Sequence, residues 1–360
     1  MTKSKAAAIG ASNGRPPPLR LVIDGDALVA NWQWLRTQGG NADCGAAVKA
    51  NGYGLGASEV VARLAAAGCR DFFCATWAEA EAIGPLPDAV ALSVLHGVRA
   101  EDMPAALASR VRPVLNTIEQ VTRWRESGGG PCDVMVDTGI NRLGLTPAQA
   151  RSGLLDGLTI ETLLSHLSCA DEPGHPLNER QRDAFRTIRD AVPARRYSLA
   201  NSAGILLGRD YGFDLLRPGI ALYGGVPTPD DAASTALRLT VKMEAQVIQL
   251  RHVPAGEGVG YGAKWTAQAD ARIAVLNIGY ADGMLRQLGP CLEAVVGGER
   301  RSLAGRISMD MITVDAGSAD VAEGDWVELD YDLPKLAARS GLTQYELLTG
   351  LGRRFDRIWR

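Results

Sequence analysis

The sequence has no long hydrophobic run, no paired-cysteine motif and no basic tract, and each absence removes a class of function. No stretch approaches the roughly 20 consecutive apolar residues of a membrane-crossing helix, so a membrane is not an expected partner. The opening MTKSKAAAIGASNGRPPPLR is rich in small residues and proline but has no apolar core of the secretory-signal kind. We read residues 1–18 as a disordered leader and expect a cytoplasmic protein. The six cysteines (Cys44, Cys69, Cys74, Cys132, Cys169 and Cys291) form no C-x-x-C pair and the four histidines are scattered, so no metal site is expected. Isolated cysteines in so long a chain fit free thiols in a reducing compartment better than a disulfide framework. With 38 basic against 41 acidic side chains the net charge is −3, which argues against nucleic acid.

What is present describes an ordinary globular chain: 46% hydrophobic, 22% charged, and at 360 residues long enough for two cores. From residue 44 onward, short β-rich runs alternate with helix-like segments. The runs are CGAAVK (44–49), DFFCAT (71–76), AVALSVL (89–95), RPVLN (112–116), CDVMVDT (132–138), ETLLSHL (161–167), RYSLAN (196–201) and LLRPGIALYG (215–224). Eight strands alternating with helices predict an α/β fold, an N-terminal (β/α)8 TIM-type barrel, with a doubly wound sheet as the alternative. A Pro/Asp-rich linker is expected at VPTPDDAAS (226–234), followed by strands without intervening helices and one closing helix near TQYELLTGLGRRF. The expected division is therefore a barrel over 19–233 and a mainly-β domain over 234–360. The early strand LRLVID (19–24) could join either.

In a parallel barrel the chemistry gathers at the C-terminal ends of the strands. Lys49 ends the first, inside AVKANGYGLG; Asp137 to Arg142 follow the fifth, His166 the sixth, Ser202 the seventh, and Arg217 with Gly219 the eighth. A lysine at the end of a buried strand is partly desolvated, which makes its amine nucleophilic and able to form a Schiff base. On position alone, a lysine that merely snorkels to the rim is an equally good reading. ANSAG (200–204) and RPGIALYGG (217–225) supply hydroxyl and backbone amides where barrels often bind phosphate, although turn chemistry alone would also put Gly and Ser there. GEGVGYGAKW (256–265) is glycine-rich but does not open a helix after a strand, so it is not read as a dinucleotide loop. Its Tyr261 is a candidate acid or base; packing is the plainer alternative.

AVKANGYGLGA, VDTGINRLGL, SHLSCAD, ANSAG, RPGIALYGG, GVGYGAKW, IGYADG and GRISMDM occur in the order and approximate spacing of the alanine racemases. The resemblance runs from about residue 20 to 357. It implies a homodimeric isomerase that interconverts L- and D-alanine with pyridoxal 5'-phosphate, supplying D-alanine for peptidoglycan. By similarity, Lys49 would carry the cofactor covalently. Tyr53, Ser202 and the backbone at Gly219 and Ile220 would hold its phosphate, Arg217 would face the pyridine nitrogen, and His166 would support that arginine. Tyr261, arriving from the partner subunit, would be the second catalytic base beside Lys49. Arg142, Tyr280 and the backbone near Met309 would meet the substrate. One departure stands out: many relatives carry a carbamylated lysine two residues before the aspartate of VDTG, and this chain has Met135 there, so Arg142 must be held otherwise. Other readings stay open. They are a pyridoxal-phosphate decarboxylase or aldolase, a racemase of serine or broader specificity, a non-catalytic cofactor carrier, and a structural barrel with no cofactor.

Overall fold

The computed structural model describes residues 16–228 and 235–360, and the chain divides into two compact units, 25–238 and 1–24 with 239–360. The strands in chain order are β1 (Leu19–Ile23), β2 (Asp43–Cys44), β3 (Ala46–Ala47), β4 (Asp71–Cys74), β5 (Ala91–Val94), β6 (Arg112–Leu115), β7 (Cys132–Met135), β8 (Ile160–Leu164), β9 (Arg196–Ser198) and β10 (Leu215–Leu216). They continue with β11 (Val241–Val253), β12 (Gly258–Val259), β13 (Trp265–Thr266), β14 (Ala271–Leu276), β15 (Glu293–Val296), β16 (Glu299–Ser302), β17 (Ile312–Asp315), β18 (Trp326–Leu329) and β19 (Asp356–Trp359).

In the first unit, β3 to β9 form one parallel sheet in chain order, and β10 pairs parallel with β2. Backbone hydrogen bonds then close the ring. Asp214 N donates to Tyr197 O and Arg217 N to Ala200 O on one side of β10; Gly45 N donates to Leu216 O and Ala47 N to Pro218 O on the other. With β2 and β3 taken as one strand broken at Gly45, this is the expected (β/α)8 barrel. Glycine is required there: a side chain at Gly45 would place its Cβ 2.7 Å from the Asp71 carbonyl oxygen. The intervening helices start where the sequence supplies caps. Thr76, Thr117 and Thr146 accept from the backbone N–H of Glu79, Gln120 and Gln149, respectively.

The barrel interior is layered. Phe73, Val114, Met135, Leu164 and Leu215 form an apolar cluster. Nearer the strand N-termini lies a charged layer in which Arg196 clamps Asp71 at 2.9 and 2.5 Å, and Ser93 donates to buried Asp133 at 2.5 Å. Arg112 adds ion pairs to Asp71 (3.5 Å), Asp133 (3.6 Å) and Glu161 (3.6 Å). Charge on this face serves stability, since barrel chemistry belongs to the other end.

The second unit is the mainly-β domain, with sheet order β16-β15-β18-β11-β1-β19 and β14 bridging β11 to β17. Strand β1 lies here, antiparallel to β11 (Leu21 opposite Met243) and parallel to β19. The expected barrel boundary at residue 19 is thereby corrected: the first strand of the chain completes the last domain. Its alternating buried and half-buried residues fit a sheet with one covered face. Besides the expected helix (Gln344–Thr349) there is a second, Leu333–Ser340, capped by Asp332 and opened by Pro334. The leader expected over 1–18 falls mostly outside the described residues, but Pro18 already accepts a backbone hydrogen bond from Gln246 at 3.0 Å. The linker expected at 226–234 lies largely outside them as well. Among the described residues, no helix is long and apolar enough to cross a membrane.

Candidate active site

Lys49 leaves the end of β3 into a turn wound the wrong way. Ala50 (φ 53, ψ 45), Asn51 (φ 55, ψ 50) and Gly52 (φ 63, ψ 45) are left-handed, and Tyr53 follows at φ 53. Left-handed backbone costs roughly 1–2 kcal/mol for each residue with a side chain, so Ala50, Asn51 and Tyr53, three within four residues, must be held by their surroundings. The restraints are visible. Gly52 N and Gly54 N donate to Val48 O and Ala50 O, Asn51 Oδ1 accepts from Ala57 N at 3.0 Å, and Glu79 Oε1 accepts from Ala50 N at 2.7 Å. The other oxygen of Glu79 takes Ala75 N at 2.6 Å, tying the Lys49 turn to the end of β4. Because the turn is compact, it sets Lys49 and Tyr53 together.

Tyr53 is buried, its ring stacked on Tyr223 with centroids 4.6 Å apart, and its hydroxyl reaches the loop after β10. A Cβ at Gly219 would fall 2.2 Å from the Tyr53 hydroxyl oxygen, so only glycine leaves that space open. Ser202, first residue of the helix after β9, accepts at Oγ from Gly219 N (2.8 Å) and Ala221 N (3.3 Å). Tyr53, Ser202, Gly219 and Ile220 thus converge on one cradle of hydroxyls and backbone amides, a donor set suited to a phosphate.

Arg217 is buried beside that cradle. It donates to Ser165 O at 2.5 Å, to Leu199 O at 3.4 Å and to the Ser198 hydroxyl, and burial lowers its pKa to about 10 despite the pull of Asp133. His166 is pushed down to about 3, first by burial and then by the positive charges of Arg217, Arg142 and Lys49, so its imidazole is neutral at physiological pH. The Lys49 amine is held below the usual lysine range by burial and then by Arg142, with Glu79 acting the other way. Lys49, Arg142 and Arg217 therefore make the C-terminal rim of the barrel electropositive around a neutral His166.

Arg142 is set by its backbone. The Asp137 carboxylate accepts from Gly139 N (2.8 Å), Ile140 N (3.0 Å) and Arg142 N (2.9 Å), folding the 137–142 segment around one side chain. Its guanidinium makes no ion pair or hydrogen bond among the described residues. Met135 lies in the apolar barrel layer and Leu145 N donates to its carbonyl. Packing thus occupies the position where the resemblance implied a lysine.

The β unit carries the remaining predicted residues. Tyr261 tops a hairpin of β12 and β13 and is 68% exposed, neither buried nor packed; Arg306 lies beside the flanking Gly260 and Gly262. Tyr280 opens a 3₁₀ turn, and Met309 lies in a turn held by Ser308 Oγ, which donates to Met311 O at 2.7 Å. These two turns are zipped together, with Tyr280 N donating to Ser308 O and Ala281 N to Met309 O, both 3.0 Å. The amides of Met309 and Asp310 have no acceptor among the described residues, which leaves two adjacent donors for an anionic oxygen.

Known proteins resemble the chain over nearly all of its length. Residues 23–227 match the alanine racemase N-terminal domain family and 240–359 the alanine racemase C-terminal domain family. The chain is 41% identical to an alanine racemase of Acidiphilium cryptum across 94% of this chain and 98% of that protein. The crystal structure of alanine racemase from Bartonella henselae with covalently bound pyridoxal phosphate has a TM-score of 0.88 at 36% identity, covering 96% of this chain and all (100%) of that one. Biosynthetic alanine racemase from Pseudomonas aeruginosa has a TM-score of 0.86 at 35% identity, covering 96% and 100% of the two chains. The chain belongs to the alanine racemase family.

As an alanine racemase family member it is an isomerase, and its barrel and β domain are those of the family. One residue that holds the Lys49 turn was not singled out in the sequence: Glu79 reads there as an acidic residue on a helix face, and only its contacts to Ala50 N and Ala75 N reveal it.

Proposed function

We propose that the chain interconverts L- and D-alanine with pyridoxal 5'-phosphate, using Lys49 and Tyr261 as proton carriers on opposite faces of the substrate. The observation that carries the reading is the joining, by one strained turn, of a low-pKa lysine to a phosphate cradle. The cradle fits the cofactor, because Gly219 leaves room against the Tyr53 hydroxyl and Ser202 organises two backbone amides around it.

Lys49 would hold the cofactor covalently, with Tyr53, Ser202, Gly219 and Ile220 at its phosphate and Arg217 at its ring nitrogen. When bound, the cofactor accepts the electron density released as the Cα proton leaves, which acidifies that proton. Arg217, with its pKa of about 10, keeps its charge and offers a donor, so it would leave the ring nitrogen of a bound cofactor unprotonated and moderate that electron withdrawal. Neutral His166 adds no further positive charge beside the guanidinium. Burial and the Arg142 charge both favour the neutral form of the Lys49 amine, the form that takes up a proton. Making either enantiomer requires a second base on the other face, and Tyr261 is the candidate. Arg142, the Tyr280 hydroxyl and the Met309 amide would hold the substrate carboxylate.

Exposed Tyr261 (68%), Met309 (53%), Met311 (42%) and Leu285 (42%) on the β unit favour a second copy of the chain as partner, each subunit completing the other's site. Unpaired cysteines, five of them buried, suit the cytoplasm, where D-alanine for peptidoglycan would be made. The test is chiral analysis of L-alanine incubated with the cofactor-loaded protein, together with borohydride trapping. Approach to an equal mixture and a reduced cofactor on the Lys49 peptide are expected. A protein that takes up no cofactor would overturn the reading. A panel of amino acids, serine included, sets substrate breadth.

A further inference from the structure

The two turns that carry Tyr280 and Met309, zipped by two backbone hydrogen bonds, are also bridged by the side chain of an arginine near the chain end. Arg354 donates Nε to Asp282 Oδ1 at 2.6 Å and one terminal nitrogen to Asp282 Oδ2 at 2.7 Å, while its other terminal nitrogen reaches Asp310 Oδ1 at 2.7 Å. Asp282 is fully buried, at 0% exposure, and closes the Tyr280 turn by accepting from Gly279 N at 3.0 Å. Asp310 is the residue after Met309 and its side chain is half exposed. The packing beneath is tight: a Cβ at Gly279 would lie 2.3 Å from the Met309 carbonyl oxygen, and one at Gly283 would lie 2.5 Å from the Gly350 carbonyl oxygen. Gly352 N donates to Asp282 O at 3.2 Å, so the chain end is anchored to the same turn. From the other side, the Arg286 guanidinium lies 5.4 Å from the centre of the Tyr280 ring.

We propose that Arg354 is a positioning residue for the reaction: its planar fork bridges Asp282 and Asp310, and so fixes the spacing between the Tyr280 hydroxyl and the Met309 amide that receive the substrate carboxylate. The proposal rests on the reading above that these two groups take the carboxylate. An isolated surface ion pair contributes little, but this one is bidentate to a buried carboxylate and carries a third bond across to a different loop. Lysine, a point charge, cannot make all three bonds. The Asp282 arm holds the β unit's own fold; the Asp310 arm adjusts only the Met309 turn, so it separates positioning from stability.

The experiment uses cofactor-loaded Asp310→Ala and Arg354→Lys beside the unaltered protein. KM for both alanine enantiomers should rise on the order of tenfold in each variant, with kcat within about twofold, as expected when binding common to ground and transition states is lost. Cofactor absorbance and the melting temperature of Asp310→Ala should match the unaltered protein. Hydrogen exchange, read on protein without substrate, should quicken at the Tyr280 and Ala281 amides and remain unchanged at Met243 and Ala245 of β11. Unchanged KM at full cofactor content, or unchanged exchange at Ala281, would overturn the proposal; so would a uniform fall in kcat with melting temperature, the mark of a purely structural role. If the unaltered protein racemises nothing, the racemase reading fails instead, and exchange at Ala281 still decides whether Arg354 holds the turns.

Discussion

Replacing His166 with glutamine should change how the fold responds to acid. The imidazole titrates at about 3 in the folded protein against 6.5 for the free side chain, so its folded pKa is depressed. An unfolded chain takes up the proton as pH falls through 6.5, whereas the folded protein refuses it until about pH 3. Stability contributed by the neutral imidazole is therefore complete above pH 6.5 and is lost progressively toward pH 3. At about 1.4 kcal/mol for each tenfold change in proton affinity the displacement is worth at most about 5 kcal/mol, and partial solvent access reduces this to about 2–4 kcal/mol. The assay is urea unfolding of the unaltered protein and His166→Gln between pH 7 and 3.5, compared as the difference between the two curves so that the carboxylates cancel. The unaltered protein should lose stability relative to the variant as pH drops below 6.5, and a difference that stays flat would refute a desolvated, positively surrounded imidazole.

Further outcomes follow from other contacts. Asp71→Ala removes the two short bonds of the Arg196 guanidinium in the charged barrel layer, leaving it a 3.4 Å contact to exposed Asp43, and should cost about 1.5–3 kcal/mol of stability in chemical denaturation. Ser202→Ala removes the acceptor shared by Gly219 N and Ala221 N and should weaken cofactor binding about tenfold, measured by absorbance titration. Because a thioether at residue 135 cannot form a carbamate, degassing or adding bicarbonate should leave the racemisation rate unchanged.

The barrel was legible because each strand is a short apolar run followed by polar residues at one rim, and burial forces that pattern locally. The domain boundary was not: β1 pairs with residues far along the chain, and nothing within LRLVI distinguishes a barrel strand from a β-domain strand. The helix Leu333–Ser340 had a readable start in Asp332 and Pro334 but was hidden among strands. At the site, Lys49, Tyr53, Ser202 and Arg217 were legible as polar residues at strand ends. The handedness of the Ala50–Tyr53 turn was not, since alanine and tyrosine disfavour it and only tertiary contacts such as Glu79 to Ala50 N enforce it. Arg354 was invisible for the same reason: a charge-rich C-terminus reads as solvated until its partners are known.

The central claim is that two groups on opposite faces carry the proton. Tyr261→Phe, loaded with cofactor and incubated in heavy water with each alanine enantiomer separately, tests it most directly. With one base left on one face, interconversion should fall by orders of magnitude while one enantiomer still exchanges its Cα proton for deuterium without inverting. Near-normal interconversion by Tyr261→Phe would contradict the account.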